Sequence, residues 1–186
     1  MSFVDLEKIV LEIKTGNTVL YPTDTIWGIG GDSTNESVID KIYRIKERSE
    51  SKSLITLVNS TEMLKELCEV SNKVDEIISA FEQPTTIIYD KVKGIHPAAI
   101  AKDGSAAIRV VNDPYCNAII QEIGVPLLST SANISGSQAP KSFKDISSKI
   151  KSQCGYISEH RRNDTTASVS SRIIKVSGNE IIVIRE

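Results

Sequence analysis

TVLYPTDTIWGIGGD, residues 18–32, is the stretch on which the fold turns. Thr18 to Tyr21 is β-branched or apolar and is stopped by Pro22, as in a buried strand. Thr23 to Asp32 carries Gly28, Gly30 and Gly31, too much glycine for a regular element, and is predicted to be a loop. That loop gathers the hydroxyls of Thr23 and Thr25 with the carboxylate of Asp24. Glycines let backbone N–H groups approach an anion, and hydroxyls bind an amino-acid or phosphate group. A plain strand-turn whose threonines bond their own backbone fits the same residues. The stretch is neither GxxxxGK[ST] nor GxGxxG, so it belongs to neither standard nucleotide fingerprint.

Working outward, Leu6, Ile9, Val10 and Ile13 fall at helical spacing, with Ser2 and Asp5 as candidate caps and Gly16 as the stop. A second helix spans Glu36 to Lys46, with Val38, Ile39, Ile42 and Ile45 on one face. Leu54 to Val58 is a predicted strand, and Thr61 to Val70 and Ser71 to Phe81 are predicted helices. Thr85 to Tyr89 and Ala106 to Val111 read as strands, followed by a helix opened by Asp113 as cap and Pro114 in the first turn. Pro126 to Thr130 is a strand, Ser142 to Ile150 a helix. Ser168 to Val176 and Glu180 to Arg185 form a hairpin through Ser177-Gly178-Asn179. Strands alternate with helices and a hairpin closes the chain. The fold class is therefore α/β (mixed α+β), a twisted mixed β-sheet covered by helices.

The chain has 186 residues, which predicts one domain over 1–186 without a second. Hydrophobic residues make up 40% and charged residues 25%, ordinary for a globular protein, and no apolar run is long enough to span a membrane. The N-terminus mixes charges into its apolar positions, unlike a signal peptide, and the expected location is the cytoplasm. Cys68, Cys116 and Cys154 are odd in number and scattered, which argues for reduced thiols over disulfides or a zinc site. With only His96 and His160 present, a zinc centre or a Ser-His-Asp hydrolase is not expected. The net charge of −2 excludes global electrostatic binding of nucleic acid and leaves room only for a local basic patch.

Three further places carry polar residues with chemical potential. Lys46 and Arg48 end the second helix, with Lys52 in the loop beyond; they form either an anion clamp or a solvated helix terminus that favours cations. STSANISG (129–136) places Ser129, Thr130, Ser131 and Asn133 where a strand emerges, as a ligand site or as a turn rich in Asx and Ser geometry. Arg109 lies inside AAIRVV and faces either solvent or a ligand cavity, since a buried charge needs a partner. Trp27, the single tryptophan, reads as a core anchor inside the glycine stretch.

Taken together, YPTDTIWGIGGDSTNES, Lys46-Glu47-Arg48, AAIRVVNDP, Ser131-Ala132-Asn133 and the tail VSSRIIKVSGNEIIVIRE resemble the YrdC-like family, in its single-domain synthase branch. YciO-type paralogues are less similar, because they tend to lose the Lys-x-Arg and Ser-x-Asn pairs. The chain differs from the family in having Trp27 for tyrosine, Glu82-Gln83-Pro84 for Pro-Gly-Pro, and Ser170-Ser171-Arg172 for Pro-Ser-Thr. The resemblance implies the YrdC-like fold with a wide concave groove. It also implies synthesis of threonylcarbamoyl-adenylate and pyrophosphate from L-threonine, bicarbonate and ATP, with magnesium, for modification of tRNA. It implies Lys46 and Arg48 as catalytic residues, and Lys46, Arg48, Lys52, Ser105, Asn133 and Arg185 as ATP-binding. Thr25, Arg109, Ser131 and Ser171 would hold threonine. A separate tRNA threonylcarbamoyl-transferase complex is the implied partner, with double-stranded RNA or tRNA contact as a further one. The alternatives are a double-stranded RNA or rRNA-binding module without ATP turnover, and a carbamoyl-transfer relative of the hydrogenase-maturation proteins, whose zinc-finger cysteines this chain lacks.

Overall fold

The computed structural model describes residues 3–47, 54–80, 83–164, 169–177 and 180–186. Its centre is a mixed sheet of nine strands: β1 (Val19–Tyr21), β2 (Gly28–Asp32), β3 (Ile55–Val58), β4 (Thr85–Tyr89), β5 (Ala106–Val110), β6 (Leu127–Ser131), β7 (Tyr156–Ile157), β8 (Arg172–Ser177) and β9 (Glu180–Arg185). The strand order is β7-β1-β2-β6-β3-β5-β4-β8-β9. β1 with β7, β3 with β5 and β4 with β8 are parallel, and the other neighbours are antiparallel. The helices are α1 (Leu6–Lys14), α2 (Glu36–Lys46), α3 (Thr61–Leu67), α4 (Asn72–Ala80), α5 (Pro114–Ile123) and α6 (Ser148–Gln153).

Cross-strand partners share a face, so the register sorts the sheet into two surfaces. One face carries Leu20, Ile29, Leu128, Thr56, Ile108, Ile87 and Ile174. It packs against Val38, Ile39, Ile42 and Ile45 of α2 and against α3 and α4, forming the larger core. The other face carries Val19, Leu57 and Leu127, which pack with Ile9, Ile13, Tyr115, Ile119 and Ile120 of α1 and α5. The same face continues through Gly28, Ser129, Ile55, Ala107 and Ile88, where Ile55 and Ile88 are only half-buried. Gly28, Ser129 and Ala107 are small, so this part of the face carries little side-chain bulk.

Four details depart from expectation. Residues 28–32 form a central strand, not a loop. Gly30 makes this necessary as well as allowed: a Cβ there would sit 1.8 Å from the Leu128 carbonyl oxygen, so only glycine lets β2 and β6 pair. Asp5 does not cap α1 with its side chain. Buried, it accepts instead from Tyr115 Oη at 2.8 Å, Tyr156 Oη at 3.2 Å and the Glu159 N–H at 2.6 Å. The helix expected over 142–150 is divided into a 3-10 turn (Phe143–Asp145) and α6. Ser142 binds Asp145 and Ser147 caps α6, so two serines that favour helix starts produce two short elements. β7, two residues long, has no signature in the sequence. Gly178 and Asn179 of the terminal hairpin lie outside the described residues, while its strands pair as expected.

Candidate functional site

β1 and β2 enclose the turn 22–27, and this turn folds back on itself. Thr23 Oγ1 donates to the Ile26 carbonyl at 2.9 Å, lies 2.9 Å from Thr25 Oγ1, and accepts the Thr25 N–H at 3.0 Å. The threonine-turn reading is therefore correct for Thr23, whose hydroxyl is spent on the backbone. Thr25 has a second partner: Arg109 Nη2 donates to its Oγ1 at 3.3 Å and to Asp24 Oδ1 at 2.9 Å. Arg109 does not face bulk solvent. Its side chain is 3% exposed and that of Asp24 8%, so this is a buried ion pair. The Asn112 N–H also reaches Asp24 Oδ2, at 3.4 Å. Burial pushes the Asp24 carboxyl above its usual value, and the neighbouring guanidinium pulls the other way. Arg109 Nε is enclosed without a partner.

At the end of β6, a second cluster joins α2 to the SAN loop. Lys46 is 1% exposed, so it is not the solvated helix terminus that its position allows. Its Nζ donates to the Ser131 carbonyl and, at 2.8 Å, to the Asn133 carbonyl, while its own carbonyl accepts the Ser135 N–H at 2.8 Å. Glu47, in a left-handed conformation with φ 49°, then turns the chain away from the helix. Asn133 donates through Nδ2 to the carbonyls of Ile134 at 2.9 Å and Ser137 at 2.7 Å. Asn133 Oδ1 and Ser135 Oγ are enclosed without partners. Arg48 and Lys52 lie outside the described residues.

The third cluster comes from the sheet's other half. Arg185 Nη2 donates to the Ser171 carbonyl at 2.6 Å and to Ser171 Oγ at 3.2 Å, and Ser171 Oγ lies 2.8 Å from Thr86 Oγ1. Burial and the like charge of Arg109 lower the Arg185 pKa, so the two guanidiniums feel one another. Gly28 lies between the first and second clusters: a Cβ there would be 2.9 Å from Ser129 Oγ and 3.7 Å from Thr23 Cγ2. Thr25, Arg109, Ser171 and Arg185 thus share one neighbourhood, and Lys46, Ser131 and Asn133 another at the end of β6. Ser105 is not brought into either by a hydrogen bond among the described residues; its hydroxyl donates to Asp103 at 2.6 Å.

Two residues not among the expected ligand contacts bond directly to those that are: Asp24 to Arg109 and Thr86 to Ser171. A lone arginine in an apolar strand requires a buried carboxylate, and Asp24 was the acid already placed among the polar residues, so that pairing had a signal. Thr86 had none, because its hydroxyl reads as ordinary β-branched strand. Trp27 is the core anchor expected, 6% exposed with its ring 4.8 Å from Phe143. The cysteines are inert: burial raises Cys68 to about 11, Cys154 to about 12, and Cys116 well above its usual value. No described helix is long and apolar enough to cross a membrane.

A mixed nine-stranded sheet covered by helices, with two arginines and a buried lysine held by polar clusters at its strand ends, defines the class as an α/β domain. The Sua5_yciO_yrdC family model, described as "Telomere recombination", matches residues 12–186, and the chain belongs to that family. It is 36% identical to a putative threonylcarbamoyl-AMP synthase of Methanocaldococcus jannaschii, across 97% of this chain and 84% of that protein. It is 31% identical to the threonylcarbamoyl-AMP synthase of Pseudoalteromonas translucida, across 77% of this chain and 79% of that protein. Among solved structures, P. abyssi Sua5 complexed with L-threonine superposes with a TM-score of 0.85 at 21% identity, covering 97% of this chain. The chain spans 53% of that longer protein. E. coli YciO superposes with a TM-score of 0.81 at 19% identity, covering 97% of this chain and 88% of that one. At these identities the two superpositions establish the fold.

Proposed function

We propose that this chain is a threonylcarbamoyl-AMP synthase that joins L-threonine, bicarbonate and ATP, releasing pyrophosphate, for tRNA modification. The observation that carries this reading is that polar residues from distant segments meet in pairs along the strand ends: Thr25 with Arg109, Ser171 with Arg185, and Lys46 with Ser131 and Asn133. Relatives named as synthases support it, and they do not favour a nucleic-acid module without turnover.

In the chemistry proposed, the threonine amine adds to carbon dioxide with loss of a proton, or to bicarbonate with loss of water, and becomes a carbamate. A carbamate oxygen attacks the α-phosphorus in line, the α–β phosphoanhydride bond breaks, and pyrophosphate leaves. Such displacement depends on alignment and charge stabilisation, so it requires no histidine. Arg109 receives the threonine carboxylate, with Thr25, Ser131 and Ser171 as hydroxyl partners. Lys46, Arg48, Lys52, Asn133 and Arg185 serve the nucleotide, with Ser105 at its margin. Lys46 acts chiefly by bracing the SAN loop through two carbonyls.

No cluster of three or more His, Cys, Asp or Glu residues able to hold a metal forms among the described residues. That suits magnesium carried by the nucleotide, an ion bound largely by phosphate and water oxygens. Asn133 Oδ1 and Ser135 Oγ, enclosed without partners, are protein oxygens that fit such an ion, which would neutralise phosphate charge when bound. The domain works alone in this step and passes the adenylate to a separate transferase complex in the cytoplasm.

The test is pyrophosphate release from ATP. Release that depends on both threonine and bicarbonate, and is lost in Lys46→Ala, is the expected result. ATP turnover indifferent to threonine would overturn the reading.

A further inference from the structure

We propose that Asp24 is a positioning residue of the threonine subsite, holding Arg109 by one nitrogen so that the remainder of the guanidinium meets the amino-acid carboxylate. The proposal rests on the threonine site described above. A guanidinium has five N–H donors in a fixed plane. Asp24 and Thr25 both take theirs from Nη2, at 2.9 and 3.3 Å. Among the described residues Nε is enclosed without a partner and Nη1 makes no hydrogen bond. A buried cation with unmet donors is costly until an acceptor arrives, and a ligand carboxylate is the matching acceptor.

Asp24 does two things for that encounter. It compensates the charge of Arg109, whose side chain is 3% exposed and would otherwise be buried alone. It also fastens the substrate turn to β5, because Oδ1 binds Arg109 and Oδ2 accepts the Asn112 N–H. Both hydroxyl-bearing residues of the turn therefore keep a fixed place relative to the guanidinium. The surroundings oppose ionisation of Asp24. Tyr21 on β1, Asp113 at the cap of α5 and Cys116 within α5 face it electrostatically, and Arg109 is the cation that offsets them.

A residue that works through another shows a distinctive pattern when both are removed. The experiment measures threonine and ATP binding separately by calorimetry, on the wild type, Asp24→Asn, Arg109→Ala and the double variant. Asp24→Asn keeps an acceptor but loses the charge. It is expected to weaken threonine about tenfold or more, the scale of a hydrogen bond to a charged group, with ATP affinity nearly unchanged. The double variant is expected to bind threonine no worse than Arg109→Ala alone. Additive losses, equal losses for ATP, or unaltered threonine binding in Asp24→Asn would each overturn the proposal. If Asp24→Asn lacks a cooperative melting transition, Asp24→Ser is measured instead, since it buries no amide. A wild-type chain that fails to bind threonine would overturn the functional reading itself, and this proposal with it.

Discussion

Gly30→Ala is expected to be among the most damaging single-methyl additions available to this chain. The added Cβ would lie 1.8 Å from the Leu128 carbonyl oxygen, 2.9 Å from the Leu128 carbonyl carbon and 2.9 Å from Tyr21 Cε1. The first of these is 1.2 Å short of the 3.0 Å below which something must shift. Two of the three atoms are backbone, and Gly30 lies opposite Ser129 in the β2–β6 ladder, so relief requires moving a central strand pair. Overpacking usually costs about 1–3 kcal/mol, and a backbone clash in a central ladder belongs at the top of that range. For a domain of this size, about 3 kcal/mol corresponds to a Tm lower by roughly 6–12 °C.

Gly28→Ala is the matched control, being two residues away on the same face. Its Cβ would meet only Ser129 Oγ within 3.0 Å, the end of a side chain that can rotate. That variant is expected to lose about 1 kcal/mol or less, the low end of the overpacking range, because rotation of Ser129 relieves the contact. Urea titration of both, with m-values compared, gives the two stabilities. Equal losses in the two variants would refute the argument that backbone contact, and not the extra methyl, sets the cost.

Two further outcomes follow from the buried titratable groups. His160 packs against Tyr115 with ring centroids 4.4 Å apart, and burial followed by the charge of Arg161 lowers its pKa. Its folded-state pKa is depressed, so its contribution is fully present above the unfolded value of about 6.5 and is lost as pH falls below it. Urea midpoints should therefore fall from pH 7.5 to pH 5, and more shallowly in His160→Phe; parallel slopes would dismiss the residue as a contributor. The three cysteines should resist a thiol reagent at pH 8 in the native chain and all react in urea, because burial raises each thiol pKa. Rapid labelling of native protein would contradict that.

Much of this architecture was legible because its causes are local. Val38, Ile39, Ile42 and Ile45 trace the buried stripe of α2, and Asp113-Pro114 starts α5 where cap chemistry requires, with the Asp113 carboxylate accepting the Cys116 N–H at 2.9 Å. The family resemblance pairs Lys46 with Asn133 and Thr25 with Arg109, but it assigns Ser131 to threonine and Arg185 to the nucleotide, whereas Ser131 bonds Lys46 and Arg185 bonds Ser171. What escaped depends on distant atoms. Glycine reads as loop until the Leu128 carbonyl across the ladder explains why β2 needs it. Asp5 looks like a helix cap until Tyr115 and Tyr156 arrive from elsewhere with better donors. The burial of Lys46 was invisible for the same reason, since its partners come from a loop 85 and 87 residues away.

The order of strands in the sheet also bears on how the protein comes into being. Glu159 donates to Asp5, 154 residues earlier, and β8 and β9 complete the half of the sheet that holds Arg185 and Ser171. On a ribosome adding about 5–20 residues per second, the Asp5 contact waits on the order of ten seconds or more after its acid has been made. Pairings at such separation are slow to form even in a complete chain. In that interval α1 and α2 can pack on β1, β2, β6 and α5, but buried Asp5 waits for the Glu159 N–H and Arg109 for its neighbour Arg185. The nascent chain is then exposed to chaperones and proteases, and a chain interrupted before residue 171 would retain much of the core yet lack the Ser171–Arg185 cluster.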